Sequence, residues 1–421
     1  MHFPDEIELH IERMAQGGAG VGRWNGAAVF ASGGLPGEHV RVRINSQKSA
    51  YALGTVAEVL TAAPERVAPR LPNADHMPWQ HIDYPAQLHF KREILREQLG
   101  KLAGLSDPPV AEVIPAAQPW GYRNTAHLHV TDKQIGYYAA QSHTVRDLDA
   151  DPLLLPVLNL VLGRLRQALP EAGTALQSVT LRSSATYGYA IAALRGAGDP
   201  AAVKALNTLA ECWRSQTPEL AGVAINPHQA QHDASAVTLH EELDGVVFSL
   251  GTDSFFQANT AQAEVLLAEL RQALALQPGE RLLDAYSGIG TFALPLARVA
   301  REIIAIEENP IAVADGERSA HFNAIDNVTF VTAPVERALA TLETPIGAAI
   351  LDPPRRGCHP AALAALTTLA PARIAYVSCH PGILARDLRP FLAAGYQLAQ
   401  VQPIDLFPQT PHIECLALLV R

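Results

Sequence analysis

The sequence is poor in cysteine and contains no long apolar run, and each of these absences excludes a class of protein. Its cysteines, Cys212, Cys358, Cys379 and Cys415, show neither metal-site nor disulfide spacing, which predicts a reducing environment. No apolar run approaches the ~20 residues that span a bilayer. Residues 1–12 are acidic where a signal peptide would be basic and then apolar. We therefore expect a cytoplasmic protein with no membrane anchor and no resident metal ion.

A basic tail of the kind that binds nucleic acid is also missing. The net charge is −10, which taken alone argues against a nucleic-acid partner. The excess is local, however, because residues 241–352 carry 17 acidic and 6 basic side chains, whereas residues 353–421 carry 3 acidic and 6 basic ones. Nucleic acid therefore remains open as a partner, and the acidic segment favours a cationic ligand.

With 421 residues the chain is too long for a single ordinary core, and we predict three domains. Residues 1–65 alternate apolar and polar side chains between glycine-rich turns, which predicts a small β-barrel. Arg41 and Arg43 share the solvent-exposed face of this barrel. They are either simply solvated there or contact phosphate groups. Residues 66–250 mix predicted strands and helices as an α+β domain, and residues 251–421 form the third domain.

The central segment also contains histidines that alternate along one predicted strand, Gly121–Val130. His127 and His129 would lie on the same strand face. We interpret them as ordinary packing or surface residues, since a histidine without further signals is seldom catalytic.

From Arg281 onward, strand and helix patterns alternate as in a doubly wound α/β sheet. A strand is followed by a Gly288-x-Gly290 turn and a helix, and the next strand ends at Glu307. A carboxylate there can bind a ribose hydroxyl pair, while the glycines let a ligand approach the backbone. The segment GIGTFA also fits the dinucleotide pattern, with Glu307 19 residues after Gly288, so an NAD-dependent dehydrogenase remains open.

Three later stretches carry residues suited to chemistry. Cys379 follows a β-branched strand that Pro381 must end, at the position where parallel sheets hold ligands. A buried structural cysteine is the alternative, but the neighbouring motifs favour a nucleophile. Asp352 ends another strand, in ILDPPRRG. In PHIECLALL, His412 and Glu414 are predicted to share a strand face, and a Glu in an apolar strand is costly unless paired or used.

A pair of phenylalanines precedes a predicted helix that Asn259 or Thr260 would cap. Such a pair, here Phe255 and Phe256, usually belongs to the core. The second interpretation is that one ring stacks on bases or wedges between them.

Together these stretches resemble the S-adenosylmethionine-dependent RNA uracil-carbon-5 methyltransferases, which make 5-methyluridine in 23S rRNA and tRNA. FFQAN, DAYSGIGTF, DPPRRG, YVSCHPGILARD and PHIE occur in the family order, and residues 1–65 resemble the TRAM module, an OB-like RNA-binding barrel. The resemblance implies a Rossmann-like doubly wound methyltransferase sheet with an N-terminal OB-like barrel and an α+β central domain. It implies Cys379 as nucleophile, Glu414 as base and Phe255 as a contact of the RNA substrate. The cofactor-site residues that it implies are Gln257, Tyr286, Gly288, Gly290, Glu307 and Asp352.

The sequence departs from this family in two places. Family members of this architecture commonly hold an iron–sulfur cluster on four cysteines. The corresponding segment PRLPNADHMPWQHIDY has none, and Asp151 and Pro152 stand where the fourth is expected, so we predict no cluster. The acid often found near Ala333 for the adenine amino group is also missing, so cofactor binding would be weaker or a neighbour would substitute.

The resemblance implies methylation of carbon 5 of a specific uridine in RNA, with S-adenosyl-L-methionine as cofactor. A TRAM-like barrel favours 23S rRNA over the alternative, the tRNA T-loop. No sequence feature indicates a membrane or an obligate protein partner. A nicotinamide dehydrogenase and a non-catalytic RNA-binding module stay as rival hypotheses.

Overall fold

The computed structural model describes residues 2–72, 74–131, 134–140, 142–171, 175–226, 237–342 and 345–421. The chain divides into two compact units. The first unit comprises Met1–Pro119, Ser378–Leu388 and Gln400–Cys415, and the second comprises Trp120–Val377, Arg389–Ala399 and Leu416–Arg421. The prediction of three domains with bounds at residues 65 and 250 remains a prediction.

The first unit begins with a six-stranded sheet. Its strands are β1 (Glu6–His10), β2 (Arg13–Met14), β3 (Gly20–Trp24), β4 (Ala27–Ser32), β5 (His39–Gln47) and β6 (Tyr51–Thr61), in the spatial order β1-β5-β6-β4-β3-β2. Alternate side chains such as Ile7, Leu9, Val40 and Val42 are buried in one core, which explains the apolar–polar alternation of the sequence. The predicted small β domain is confirmed.

Helix α1 (Tyr84–Ala103) follows in the first unit. Its N-terminus is capped by Asp83, which accepts a hydrogen bond from the Ala86 amide at 3.0 Å. It ends before Gly104, whose φ of 74° is left-handed. On this helix Lys91 is buried, whereas Arg92 and Arg96 are partly exposed.

The second unit contains a central six-stranded sheet. Its strands are β7 (Thr125–Thr131), β8 (Gln134–Tyr138), β9 (Val145–Asp147), β10 (Leu176–Ser183), β11 (Ala190–Gly196) and β12 (Leu220–Ile225), in the order β12-β11-β10-β7-β8-β9. Helices α2 (Pro156–Ala168) and α3 (Pro200–Ser215) contact strands of this sheet, and a 3₁₀ turn covers Leu169–Glu171. A hairpin of β13 (Leu239–Leu243) and β14 (Val246–Leu250) follows.

Helix α4 (Thr260–Leu274) opens the C-terminal part, and Asn259 caps it by accepting a hydrogen bond from the Gln262 amide at 3.2 Å, as expected. Seven strands then form one sheet in the order β17-β16-β15-β18-β19-β21-β20. They are β15 (Arg281–Ala285), β16 (Glu302–Glu307), β17 (Val328–Thr332), β18 (Ala348–Leu351), β19 (Arg373–Ser378), β20 (Gln397–Ile404) and β21 (Glu414–Val420). The helices between them are α5 (Ala293–Leu296), α6 (Pro310–Phe322), α7 (Val335–Leu339), α8 (Pro360–Leu369) and α9 (Pro381–Ala393).

The pairs β15–β16, β15–β18, β16–β17 and β18–β19 are parallel, so the predicted doubly wound α/β class is confirmed. One local prediction is wrong. Strand β21 begins at Glu414, so His412 precedes the strand and does not share its face. The reason is the turn before it, in which the His412 amide donates to the Thr410 hydroxyl at 3.3 Å. No helix in the described ranges combines the length and the apolar character needed to cross a membrane.

Candidate active site

In the second unit, the first parallel strand ends in a turn with unusual backbone geometry. Tyr286 has a φ of 65° and Gly288 a φ of 56°, both in the left-handed region that favours glycine. A Cβ added at Gly288 would meet no protein atom within 4 Å, so the turn leaves open space beside its backbone. At Gly290 an added Cβ would lie 2.9 Å from the Phe330 ring, so this glycine serves packing. The two glycines therefore differ in their surroundings, since Gly288 borders open space and Gly290 borders the Phe330 ring.

Glu307, at the end of β16, is fixed against this turn. One carboxylate oxygen accepts a hydrogen bond from the Gly288 amide at 3.0 Å, and the other accepts one from the Asn309 amide at 2.8 Å. The side chain remains partly exposed. It is thus held in one orientation by backbone donors, and a carboxylate so placed can accept hydrogen bonds from ligand hydroxyl groups.

Two more carboxyl groups lie at the ends of the neighbouring strands β15 and β18. Asp284 is fully buried, and neither of its oxygens has a hydrogen-bond partner of good geometry within the described residues. Burial raises its pKa well above the ordinary value, with further contributions from Asp352 and Glu307, while the Ala293 amide lowers it. Asp352 retains some exposure, yet desolvation raises its pKa to about 7. Such a cluster is suited to a cationic ligand, which would compensate the acids.

Tyr286 lies beside the same turn and is half-buried. Its hydroxyl accepts a hydrogen bond from the His359 amide at 3.4 Å. Burial raises its pKa, and Cys358 and Glu336 also contribute. Glu336 lies at the start of α7, three residues beyond Ala333. It is therefore an acid close to the position where the family pattern has an acid and this chain has Ala333.

The segment before α4 places Gln257 and Phe255 in different environments. Gln257 is buried, and its carbonyl oxygen accepts a hydrogen bond from the Asn124 side chain at 2.9 Å. Phe255 is 67% exposed, whereas Phe256 is buried and packs 5.6 Å from the Phe248 ring. One phenylalanine is thus a core residue, and the other presents its ring to solvent, where it is accessible to a ligand.

In the first unit, Cys379 lies between the end of β19 and the start of α9 and is half-buried. Its two neighbours shape the turn. The His380 amide donates to the Ser378 hydroxyl at 3.2 Å, and the His380 ring accepts from the Ile383 amide at 3.2 Å. The Gln16 side-chain amide lies 3.0 Å from the same ring. Cys379 therefore lies two residues before the N-terminus of α9.

Glu414 and Cys379 come together around a third residue, Cys415. The Cys415 thiol is fully buried and donates to the Ser378 carbonyl at 3.6 Å. Burial raises its pKa well above the ordinary value, and both Glu414 and Cys379 lie near enough to raise it further. Glu414 itself is 6% exposed. The first unit thus gathers a half-buried thiol and a buried carboxyl group.

A buried polar network, which we did not predict, holds the segment that leads to Glu414. Asp405 accepts hydrogen bonds from the Lys91 ammonium at 2.6 Å and from the Tyr84 hydroxyl at 2.9 Å. Gln87 and Gln409 exchange hydrogen bonds at 2.9 Å, and Gln409 has a φ of 67°. These contacts pair α1 with a segment more than 300 residues away in sequence. No pattern in the sequence near Lys91 signalled this pairing.

The structure adds Asp284 to the predicted set, and the only sequence signal for it was its place at a strand end. Within the described part of the chain, no group of three or more His, Cys, Asp or Glu side chains is arranged to hold a metal ion. The predicted absence of an iron–sulfur cluster remains a prediction.

A doubly wound sheet with an acidic, glycine-containing turn, accompanied by an N-terminal β domain, defines the class of α/β methyltransferases with a small accessory β module. A family model described as tRNA (uracil-5-)-methyltransferase matches residues 231–421, and the TRAM domain model matches residues 5–57. An uncharacterized RNA methyltransferase of Thermosynechococcus vestitus is 36% identical over 98% of this chain and 97% of its own. One of Synechocystis is 35% identical over 98% and 95%, respectively. The chain belongs to the tRNA (uracil-5-)-methyltransferase family of RNA methyltransferases.

The fold also matches the crystal structure of the Pyrococcus abyssi tRNA (uracil-54, C5)-methyltransferase in complex with S-adenosyl-L-homocysteine. The TM-score is 0.77 at 24% sequence identity, and the match covers 98% of this chain and 100% of the other. At this identity the likeness establishes the shared fold.

Proposed function

We propose that the protein methylates carbon 5 of a uridine in RNA, with S-adenosyl-L-methionine as methyl donor. The observation that carries the proposal is the gathering of Cys379 and Glu414 around the buried Cys415 within one compact unit. A thiol and a carboxyl group are the nucleophile and the base that substitution at carbon 5 requires. Family membership supports the same reaction.

The acidic turn of the second unit fits such a donor. S-adenosyl-L-methionine carries a cationic sulfonium that supplies the methyl group, an ammonium group and a ribose. Glu307, oriented by the Gly288 amide, would hold the ribose hydroxyls. Asp352 and Asp284 would compensate the positive charges, since their carboxyl groups are desolvated without a cation. Tyr286, Gln257 and Gly290 complete the proposed cofactor-binding set.

Cys379 would act first. Carbon 5 of uracil is too weak a nucleophile to take a methyl group directly. Addition of the Cys379 thiolate to carbon 6 turns carbons 5 and 4 into an enolate, which divides one difficult step into easier ones. The uridine must leave its stack for the thiolate to reach it, and exposed Phe255 would pack against the substrate RNA.

Glu414 would complete the reaction. After methylation, carbon 5 still carries its proton, and carbon 6 still carries the Cys379 sulfur. The Glu414 carboxylate removes the proton, the electron pair re-forms the carbon 5–carbon 6 double bond, and the thiolate leaves. A buried carboxylate suits this transfer because solvent does not compete for the proton.

For the substrate we propose 23S rRNA, supported by the TRAM domain match at residues 5–57. The second candidate is a tRNA T-loop uridine. The match to the Pyrococcus abyssi tRNA enzyme supports this second candidate. The match covers all of that chain, so this tRNA enzyme also has a counterpart of the N-terminal barrel. Labelled methyl transfer to separated rRNA and tRNA, followed by mapping of the modified uridine, discriminates between them.

The mechanism is tested by two substitutions. Glu414→Gln should let Cys379 add and the methyl group move, but elimination should stall and leave the protein covalently joined to RNA. Cys379→Ala in the same background should abolish that adduct. A denaturing gel with labelled RNA and labelled donor measures both outcomes, and Cys212→Ala serves as the control because Cys212 lies on α3.

Two results would contradict these roles. Methylation by Cys379→Ala at a near wild-type rate would exclude Cys379 as nucleophile. Normal turnover by Glu414→Gln without an adduct would show that another group, such as a water molecule, removes the proton.

A further inference from the structure

The central six-stranded sheet has two chemically different faces. In the antiparallel pairing of β10 with β7, Thr180 lies opposite His127 and Arg182 lies opposite Thr125, so these side chains share one face. Arg195 of β11 lies opposite Ser178 and joins them. The alternate residues of the same strands are apolar and buried; they are Ala126, Leu128, Val179, Leu181, Ala192 and Leu194. One face is therefore apolar core, and the other carries cationic and polar groups beside the buried Ile191 and Ala193.

At the centre of the polar face is a buried guanidinium group. Arg182 is 6% exposed, and its Nε and Nη1 atoms have no hydrogen-bond partner among the described residues. Asp253 and Asp315 attract it electrostatically, but Asp253 pairs with Arg195, and Asp315 pairs with Arg318 and accepts from the Gly251 amide. Burying a cation without hydrogen bonds is costly, so an anion that supplies them would be bound favourably.

The same face continues into a pair of stacked rings. The Tyr138 ring of β8 lies 3.6 Å from the His129 ring with an interplanar angle of 12°, and Tyr138 remains 39% exposed. His143 contacts the Tyr138 ring edge-on at 5.3 Å. His127, between these rings and Arg182 along the sheet, is exposed and lies 3.0 Å from the Thr180 hydroxyl. Exposed flat rings beside guanidinium groups suit unstacked bases and their phosphates.

The polar face also adjoins the segment that carries Phe255. Arg195 pairs with Asp253, two residues before Phe255. On the other side, Asn124, the residue before β7, donates to the Gln257 carbonyl at 2.9 Å. Polar contacts thus hold residues 253–257 against this sheet. If RNA contacts Phe255, the nucleotides next to the contacting one would reach the sheet.

We propose that the central polar face, which we define as His127, His129, Tyr138, Arg182 and Arg195, binds single-stranded RNA next to the nucleotide that contacts Phe255. Arg182 and Arg195 hold a backbone phosphate, and a base stacks on Tyr138. The inference rests on the proposed function for the identity of the RNA. It also gives a role to His127 and His129, which the sequence alone classified as ordinary packing or surface residues.

The test compares a long RNA that contains the target uridine with a version trimmed to the nucleotides beside it. Direct binding is measured without methyl donor, and kcat and KM are measured with it. Tyr138→Leu should weaken binding of the long RNA about tenfold and raise its KM without changing kcat, because one stacking contact is lost. Tyr138→Phe should retain wild-type affinity. Tyr187→Leu is the matched control, since Tyr187 is 46% exposed in the turn between β10 and β11.

Arg182→Gln should reduce the salt dependence of long-RNA binding by the equivalent of about one phosphate contact. The trimmed RNA should bind all variants alike. If Arg182→Gln does not fold, Tyr138→Leu and His127→Ala decide the question. Unchanged long-RNA affinity in Tyr138→Leu, or an equal loss in Tyr187→Leu, would overturn the proposal. If wild-type protein binds RNA through this face yet methylates none, the proposed function fails while this binding site stands.

Discussion

The buried pair of Lys91 and Asp405 gives the sharpest prediction about stability. Both side chains are at most 1% exposed, and the ammonium lies 2.6 Å from the carboxylate. Burial lowers the pKa of Lys91, which Asp405 opposes. Lys91→Met would remove the cation. The buried Asp405 carboxylate would lose the hydrogen bond from Lys91 but keep the one from the Tyr84 hydroxyl. Breaking such a pair costs roughly 3–5 kcal/mol, and we expect the lower end because Tyr84 remains.

A double substitution separates the worth of the pair from the cost of an uncompensated charge. Lys91→Met combined with Asp405→Leu should recover most of the loss, since a buried ion pair replaced by apolar side chains is often neutral. Lys101→Met is the matched control: Lys101 is 62% exposed and pairs with Glu97 on the same helix. Its substitution should cost less than about 0.5 kcal/mol.

The assay is urea unfolding of the four proteins, followed by methyl transfer under conditions where each is folded. Because Asp405 anchors the segment that leads to β21 and Glu414, Lys91→Met should also lower kcat while donor binding is unchanged. A loss of less than about 1 kcal/mol in Lys91→Met, or no recovery in the double variant, would refute the reasoning.

Three further predictions follow from other parts of the chain. The folded-state pKa of Asp352 is about 7, above its ordinary value, so ionisation of this carboxyl group costs stability as the pH rises from about 4 to about 7. The melting temperature of Asp352→Asn should therefore increase relative to that of the wild type across this pH window. A difference in melting temperature that stays constant with pH would contradict this. The purified protein should contain no stoichiometric iron and should show no absorption band at about 400 nm, because the cysteines that would hold an iron–sulfur cluster are missing. Stoichiometric iron in a metal analysis would contradict this prediction. Arg41 pairs with Glu58, and Arg43 lies 3.4 Å from Glu6; the double variant Arg41→Gln/Arg43→Gln should change RNA affinity less than about twofold, and a tenfold loss would assign them to phosphate contacts.

Much of the fold was determined by local sequence pattern. Apolar alternation between glycine turns produced the N-terminal sheet, and strand–helix alternation after Arg281 produced the parallel sheet. The caps of α1 and α4 follow from Asp83 and Asn259, whose short polar side chains satisfy the first backbone amides. The positions of Cys379 and Asp352 at strand ends also follow from these patterns, because a loop residue or proline must end each strand.

Only the tertiary structure decided which of these residues share surroundings. Nothing near Cys379 in sequence places it with Glu414 around Cys415, and nothing near Lys91 indicates Asp405. Such contacts depend on how distant segments pair, and local propensity carries no information about that pairing. At His412 the local pattern predicted a strand wrongly, because a turn held by Thr410 precedes the strand there. Among the described residues, Arg182 Nε and Nη1 have no hydrogen-bond partner, and this follows only from strand register, which sets the face of the sheet that the side chain occupies.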